Sequence, residues 1–143
     1  MVQKTIELLR TKFLLKVTGG LNEEGATATF LGRKLKRVSD GIVLYGTKDY
    51  YQSDLEFFGL TKAKPVSVPG SSALRKLFDG DEPVSAEEHS AYRRAVGKLQ
   101  WNVPIRPDIA FSVKELARAL TDPRREHLHK LKHLLKYMTG SSD

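Results

Sequence analysis

Three amphipathic segments occupy residues 85–140, and the breaks between them are only a few residues long. Apolar residues recur in each segment with the three- and four-residue spacing of a helix, and Pro104 and Pro123 interrupt the pattern. Ser85 and Glu88 match a capping box at the start of the first segment. Because closely connected helices cannot each bury an apolar stripe alone, the sequence predicts that they pack as a bundle.

The same helical spacing of apolar residues predicts which side chains form the core. It consists of Tyr92, Val96, Leu99, Val103, Ile109, Val113, Leu116, Leu120, Leu128, Leu131, Leu135 and Met138. Trp101 is also expected in the core, since tryptophan is usually well buried; base stacking is the alternative.

The first half of the chain has a different pattern. Residues 3–17 predict a helix that ends at Gly19-Gly20, and residues 27–46 predict a β-hairpin around Ser39-Asp40-Gly41. A short helix over 48–58 and a Pro/Gly-rich connector over 61–84 follow. The expected fold class is α+β: an N-terminal helix and β-hairpin followed by a mostly helical bundle. Three regions are expected, namely 1–46, 47–84 and 85–143.

The charge distribution favours a polyanionic partner. The net charge is +7, and basic residues are in excess over 1–47 and 85–143 but not between them. The chain has no cysteine, which excludes disulfides, thiolate metal sites and cysteine nucleophiles. No signal peptide or apolar run of roughly 20 residues is present, so we expect an intracellular location, cytoplasmic or nuclear, and no membrane contact.

The sequence offers no convincing catalytic or metal site. Asp79 and Asp81 lie in the connector, where turn chemistry explains them. His129 and His133 have a spacing that can bind zinc, but a solvated helix face explains them better. We therefore expect no catalytic residue, no metal and no cofactor in this chain.

Two basic clusters are the candidate binding residues. Phosphate contacts are assigned first to Arg33, Lys34, Lys36 and Arg37, and secondarily to Arg93, Arg94, Arg124, Arg125, Lys132 and Lys136. For the first cluster, an edge strand protected from aggregation by its cations is an equal alternative. For the second, an ordinary solvated helix face is the alternative.

A series of spaced motifs resembles the reverse transcriptase of copia-type retrotransposons. The motifs of the first half are Phe30-Leu31-Gly32-Arg33-Lys34-Leu35, Asp40-Gly41-Ile42, Phe58-Gly59-Leu60 and Ala63-Lys64-Pro65-Val66. Those of the second half are Tyr92-Arg93-Arg94-Ala95-Val96-Gly97-Lys98-Leu99 and Arg106-Pro107-Asp108-Ile109-Ala110-Phe111-Ser112-Val113, followed by Pro123, His127, Leu128, Leu131, Leu135, Lys136, Tyr137 and Gly140. The blocks are specific only in combination.

The resemblance implies a fragment of a Gag-Pol polyprotein. Residues 1–46 are similar to the end of the polymerase palm, with a primer-grip-like hairpin, and the later residues to the thumb and connection. By this resemblance Leu31, Gly32 and Arg33 lie near the primer strand. The Tyr-x-Asp-Asp metal motif is absent, so we expect no polymerase activity from this chain alone, and Mg²⁺ is implied only for the complete polymerase.

The expected function is sequence-independent binding of a template–primer duplex, either RNA–DNA hybrid or DNA. The expected partners are this nucleic acid and the missing palm and ribonuclease H regions. Two alternatives remain: a fragment that completes an active RNA-directed DNA polymerase with a palm supplied in trans, and an inert relic.

Overall fold

The chain divides after Tyr45 into two units, Met1–Tyr45 and Gly46–Asp143. The computed structural model describes residues 2–16, 19–31, 33–46, 48–70 and 82–140. The first unit contains a helix and a sheet, and the second is mostly helical, which confirms the expected α+β class. The three functional regions stay a prediction; the structure groups residues 61–70 of the connector with the helical unit.

The first unit consists of one helix and three strands. These are α1 (Val2–Lys12), β1 (Thr27–Phe30), β2 (Arg33–Val38) and β3 (Gly41–Tyr45). The second unit begins with a 3₁₀ turn (Lys48–Tyr51) and continues with α2 (Gln52–Phe57), α3 (Ala86–Asn102), a 3₁₀ turn (Pro107–Ile109), α4 (Ala110–Ala117) and α5 (Arg125–Gly140).

The predicted hairpin is a three-stranded antiparallel sheet in the order β1-β2-β3. The predicted turn at Ser39 and Asp40 is present, with Val38 paired to Gly41. A second reversal follows Phe30, which pairs with Arg33, so Leu31 lies in a turn at φ 49° rather than in a strand. The cause is visible in the sequence, since two residues that include a glycine between β-forming runs are a hairpin signal.

Helix α1 is shorter than predicted and buries none of its residues. It ends at Lys12 instead of continuing to residue 17, although the Phe13 amide still donates to the Leu9 carbonyl at 2.9 Å. A helix of this length gains most of its stability from tertiary packing, and α1 has no buried face to supply it. Leu8, Phe13 and Leu14 are all exposed.

The core lies in the helical unit and matches the predicted stripes. Tyr92, Val96 and Leu99 of α3 are fully buried, as are the inward leucines of α5. Ile109, Val113 and Leu116 are buried too, while Val103 and Leu120 are half-buried at the edge of the core. Trp101 is 36% exposed, so its expected place in the core is wrong. It follows Gln100 on the solvent side of α3.

Specific polar contacts set the helix boundaries and connect the helices. The Glu88 amide donates to Ser85 Oγ (3.1 Å) and the Ser85 amide to Glu88 Oε2 (3.0 Å), which confirms the capping box. The buried Tyr92 hydroxyl donates to the Leu116 carbonyl at 2.7 Å, joining α3 to the end of α4. Gly59, at φ +67°, ends α2, a conformation that glycine adopts without steric penalty.

Candidate nucleic-acid interface

One face of the sheet is exposed and basic. Lys34 and Lys36 alternate along β2, about 7 Å apart by strand geometry, and both are exposed. Lys34 is paired with Thr29 and Tyr45, and Lys36 with Thr27 and Val43, and these four neighbours are exposed as well. The face therefore combines two ammonium groups, two hydroxyls and an aromatic ring that is 46% exposed.

The other two cations of this cluster lie on the opposite face. Arg33 and Arg37 share it with Leu35, and all three are half-buried. Arg33 is paired with Phe30, and Arg37 with Ile42. Alternation along β2 thus divides the four predicted phosphate-binding residues into two pairs that cannot act on the same surface. Leu31 is exposed in the turn between the strands, and Gly32 lies outside the described residues.

Three of the secondary candidates form ion pairs within the helical unit. Arg125 Nη1 lies 2.6 Å from Glu88 Oε1, Arg124 Nη2 lies 2.6 Å from Asp122 Oδ2, and Arg94 Nε lies 2.9 Å from Asp54 Oδ1. Arg125 thereby joins the start of α5 to the first turn of α3. Part of the positive charge expected on this surface is neutralised by these partners.

The other secondary candidates are distributed over two helices. Arg93 is exposed on α3. Lys132 and Lys136 are half-buried and share one face of α5 at a four-residue spacing. The Lys132 ammonium lies 5.6 Å from the centroid of the Phe58 ring. The structure does not bring all six cations of the second cluster into one site.

Comparison with known proteins identifies relatives of this chain. It is 35% identical over 113 residues, 78% of its length, to the retrovirus-related Pol polyprotein from transposon RE1 of Arabidopsis thaliana. The polyprotein from transposon TNT 1-94 of Nicotiana tabacum is 33% identical over 85% of the chain, and that from transposon RE2 of Arabidopsis thaliana is 30% identical over all of it. The chain belongs to the copia-type retrotransposon Pol family. It spans no more than 10% of the length of these three relatives.

Two other comparisons found no match. No family model matches the sequence, and no solved structure matches the chain significantly. The resemblance to copia-type Pol proteins noted from the motifs is therefore confirmed by sequence similarity alone.

The Arg106-Pro107-Asp108 motif, on which the resemblance to the copia-type Pol family rests most, forms a polar network. The Arg106 guanidinium donates two hydrogen bonds to the Asp108 carboxylate, at 2.9 and 2.7 Å. The Tyr137 hydroxyl donates to the same carboxylate at 2.7 Å, and Arg106 lies 5.6 Å from the Tyr137 ring centroid. The hydrogen bonds from Arg106, assisted by that from Tyr137, lower the pKa of Asp108 to about 2. In this copia-type Pol segment the motif joins the start of α4 to the end of α5.

Among the residues that the structure describes, no group of three or more His, Cys, Asp or Glu side chains could hold a metal ion. None of the described helices is long and apolar enough to cross a membrane. Asp79 and Asp81 lie outside the described residues. His133 Nε2 lies 3.0 Å from the Val68 carbonyl oxygen, a contact to the chain segment that covers this side of α5.

The sequence analysis missed two residues that the structure brings into these surfaces. Tyr45 was assigned only to the return strand, although counting outward from the two-residue turn at 39–40 places it opposite Lys34. Asp54 was missed because its partners are far away in the sequence. It is fully buried and contacts Arg94 and also Lys98, whose Nζ lies 2.7 Å from Asp54 Oδ2.

Proposed function

We propose that this chain is a non-catalytic segment of a copia-type Pol polyprotein that binds the nucleic-acid backbone without sequence specificity. The observation that carries the proposal is the exposed face of the sheet, where Lys34 lies between Thr29 and Tyr45, and Lys36 lies between Thr27 and Val43. Ammonium groups and hydroxyls are common donors to phosphate oxygens, and an exposed tyrosine can stack on an unpaired base or a sugar. We propose RNA–DNA hybrid and duplex DNA as ligands.

The four cations of β2 have two different roles in this proposal, phosphate contact for one pair and packing for the other. Among the cross-strand partners of Lys34 and Lys36, Val43 is the one aliphatic residue, and the exposure of both lysines supports phosphate contact. Arg33 and Arg37 are half-buried beside Leu35, so their aliphatic parts contribute to packing on that face. The proposal accordingly ranks the two lysines above the two arginines.

A salt titration tests the proposal. Fluorescence anisotropy would follow a labelled RNA–DNA hybrid and the DNA duplex of the same sequence over a range of salt concentrations. Replacing Lys34 and Lys36 by Ala should lower affinity for both and reduce the logarithmic salt slope on the DNA duplex by about 2, since each phosphate contact contributes about 0.9.

A matched control removes the same charge elsewhere in the unit. Lys4 and Lys12 are exposed on α1, so replacing both by Ala should leave the salt slope nearly unchanged. Equal slopes for the Lys34/Lys36 variant and the wild-type protein would refute the assignment of the sheet face. Absence of any salt-dependent binding by folded wild-type protein would refute the proposed function itself.

Helix α1 supports a second candidate function, completion of a polymerase together with another Pol segment. None of its residues is buried, and Leu8 within the helix and Phe13 directly after it are 63% and 65% exposed. The test is primer extension by a separately supplied palm with and without this chain. A gain in extension that disappears in a Leu8→Asp, Phe13→Asp variant would support assembly, and no gain would exclude it. A broad, non-cooperative thermal melt would instead favour an inert relic.

A further inference from the structure

Three cations lie near aromatic rings in α2 and directly beside it. Three cations from α3 and α5 each lie near one ring of residues 50–58: Arg94 is 5.8 Å from the Phe57 centroid, Lys98 is 5.7 Å from Tyr50, and Lys132 is 5.6 Å from Phe58. The Phe57 and Phe58 rings are themselves in edge-to-face contact, 5.0 Å between centroids. Arg94 and Lys132 therefore lie against the two members of one aromatic pair, although they come from different helices.

A single buried carboxylate organises this cluster. Asp54 is completely buried and receives hydrogen bonds from Arg94 Nε at 2.9 Å and Lys98 Nζ at 2.7 Å. Burial of a carboxylate is tolerated when such partners satisfy it. Two cations share one anion, and Lys132 adds a third positive charge, so the cluster keeps a net positive charge.

Lys98 and Arg94, the two partners of Asp54, differ in how far their nitrogen atoms remain available to another ligand. The Lys98 side chain is only 20% exposed, and its ammonium also donates to Ser53 Oγ at 3.0 Å. The Arg94 side chain is 47% exposed and binds Asp54 through Nε, so its two terminal nitrogens remain outside this bond. A planar guanidinium held at Nε keeps both terminal nitrogens for a bidentate contact with a phosphate.

We infer that Asp54 is a positioning residue for a phosphate-binding surface made by Arg94 and Lys132, and that its ligand is the nucleic-acid backbone. The inference rests on the proposed function and adds a contact surface in the helical unit. Asp54 holds Arg94 in one orientation above Phe57, which removes side-chain freedom before the ligand arrives and so lowers the entropic penalty of binding.

The direction of the affinity change caused by Asp54→Asn distinguishes a positioning role from a simple charge effect. Asp54→Asn removes a negative charge, so electrostatic attraction alone predicts tighter binding of a polyanion. If Asp54 positions Arg94, the same change weakens binding, by about fivefold for one charge-assisted contact that is no longer held in place. Asp54→Glu keeps the charge but moves the carboxylate, so it should weaken binding as well.

The experiment uses the full chain and a labelled DNA duplex in a salt series. Arg94→Gln should weaken binding and reduce the salt slope by about 0.9, whereas Arg94→Lys should keep the slope and lose part of the affinity. Arg118→Gln is the matched control, because Arg118 is 66% exposed and paired with Glu115 on α4, and it should leave the slope unchanged. Circular dichroism and urea unfolding check that each variant is folded.

Every outcome decides the inference. Weaker binding by folded Asp54→Asn, together with the smaller slope of Arg94→Gln, supports it. Equal or tighter binding by folded Asp54→Asn overturns it, and if that variant does not fold, an unchanged slope for Arg94→Gln overturns it. Should the Lys34/Lys36 variant lose affinity while Arg94→Gln does not, this inference fails and the proposed function stands. Should the wild-type protein not bind the duplex, both fail.

Discussion

Replacing Asp108 by Asn is expected to destabilise the protein in a way that depends on pH. The pKa of this carboxyl falls from 3.8 to about 2 in the folded chain, chiefly through the hydrogen bonds from Arg106. A difference of nearly two pH units corresponds to about 2 kcal/mol. Because the Asp108 side chain is 37% exposed, solvent screening reduces the expected contribution to about 1 kcal/mol at pH 7.

The direction of the pH dependence follows from the lowered pKa. Ionised Asp108 stabilises the folded state above the unfolded pKa of 3.8, and this contribution is lost as the pH falls toward 2. The difference in unfolding free energy between the wild-type protein and Asp108→Asn should therefore be largest near neutral pH. It should decrease to about half by pH 3.

Urea unfolding followed by circular dichroism at several pH values measures this difference. Asp122→Asn is the control, since Asp122 also pairs with an arginine two positions away but is 67% exposed, and it should change stability by less than about 0.5 kcal/mol. Tyr137→Phe should reproduce part of the Asp108 effect by removing one hydrogen bond. A destabilisation by Asp108→Asn that is equal at pH 3 and pH 7 would refute this reasoning.

Four further substitutions test other parts of the fold by the same unfolding measurement. Leu131→Ala should lower the unfolding free energy by about 2–5 kcal/mol because Leu131 is fully buried. Leu8→Ala, on the exposed face of α1, should have almost no effect on the unfolding free energy. Similar values for the two variants would contradict the location of the core. Ser85→Ala should lower it by about 1 kcal/mol through loss of the capping box, and an unchanged stability would argue against the cap. Gly59→Ala should be destabilising by about 1 kcal/mol because the φ of +67° strains a residue with a Cβ, and a neutral result would be inconsistent with that backbone conformation.

The exposed helix α1 shows a limit of predicting structure from the local sequence pattern. The spacing of Ile6, Leu9 and Phe13 is that of a helix that packs on a core, and the helix does form over Val2–Lys12. The pattern also predicted a further turn that the structure does not contain. Periodicity indicates which face of a helix is apolar, but the length of the helix depends on the burial that its neighbours provide.

The sequence by itself determined much of the local structure of both units. The inward residues of α3 and α5, the capping box at Ser85 and the turn at residues 39–40 all follow from interactions within a few positions along the chain. Such interactions depend on residue type and spacing alone, so they can be read before any tertiary contact is known. The spaced motifs, Arg106-Pro107-Asp108 among them, likewise indicated the family in combination.

Only the tertiary structure decided which cations are available to a ligand. Arg93 and Arg94 look equivalent in the sequence and both are exposed, but Arg94 is oriented by its pairing with Asp54, 40 positions away. The two-residue period of β2 already places Lys34 and Lys36 on one face and Arg33 and Arg37 on the other. The structure decided that the lysine face is the exposed one, and the register of β3 placed Tyr45 on it. The physical reason is that the free energy of a charged side chain depends on its solvent exposure and on the partners that packing brings within a few ångströms, and distant parts of the chain supply both.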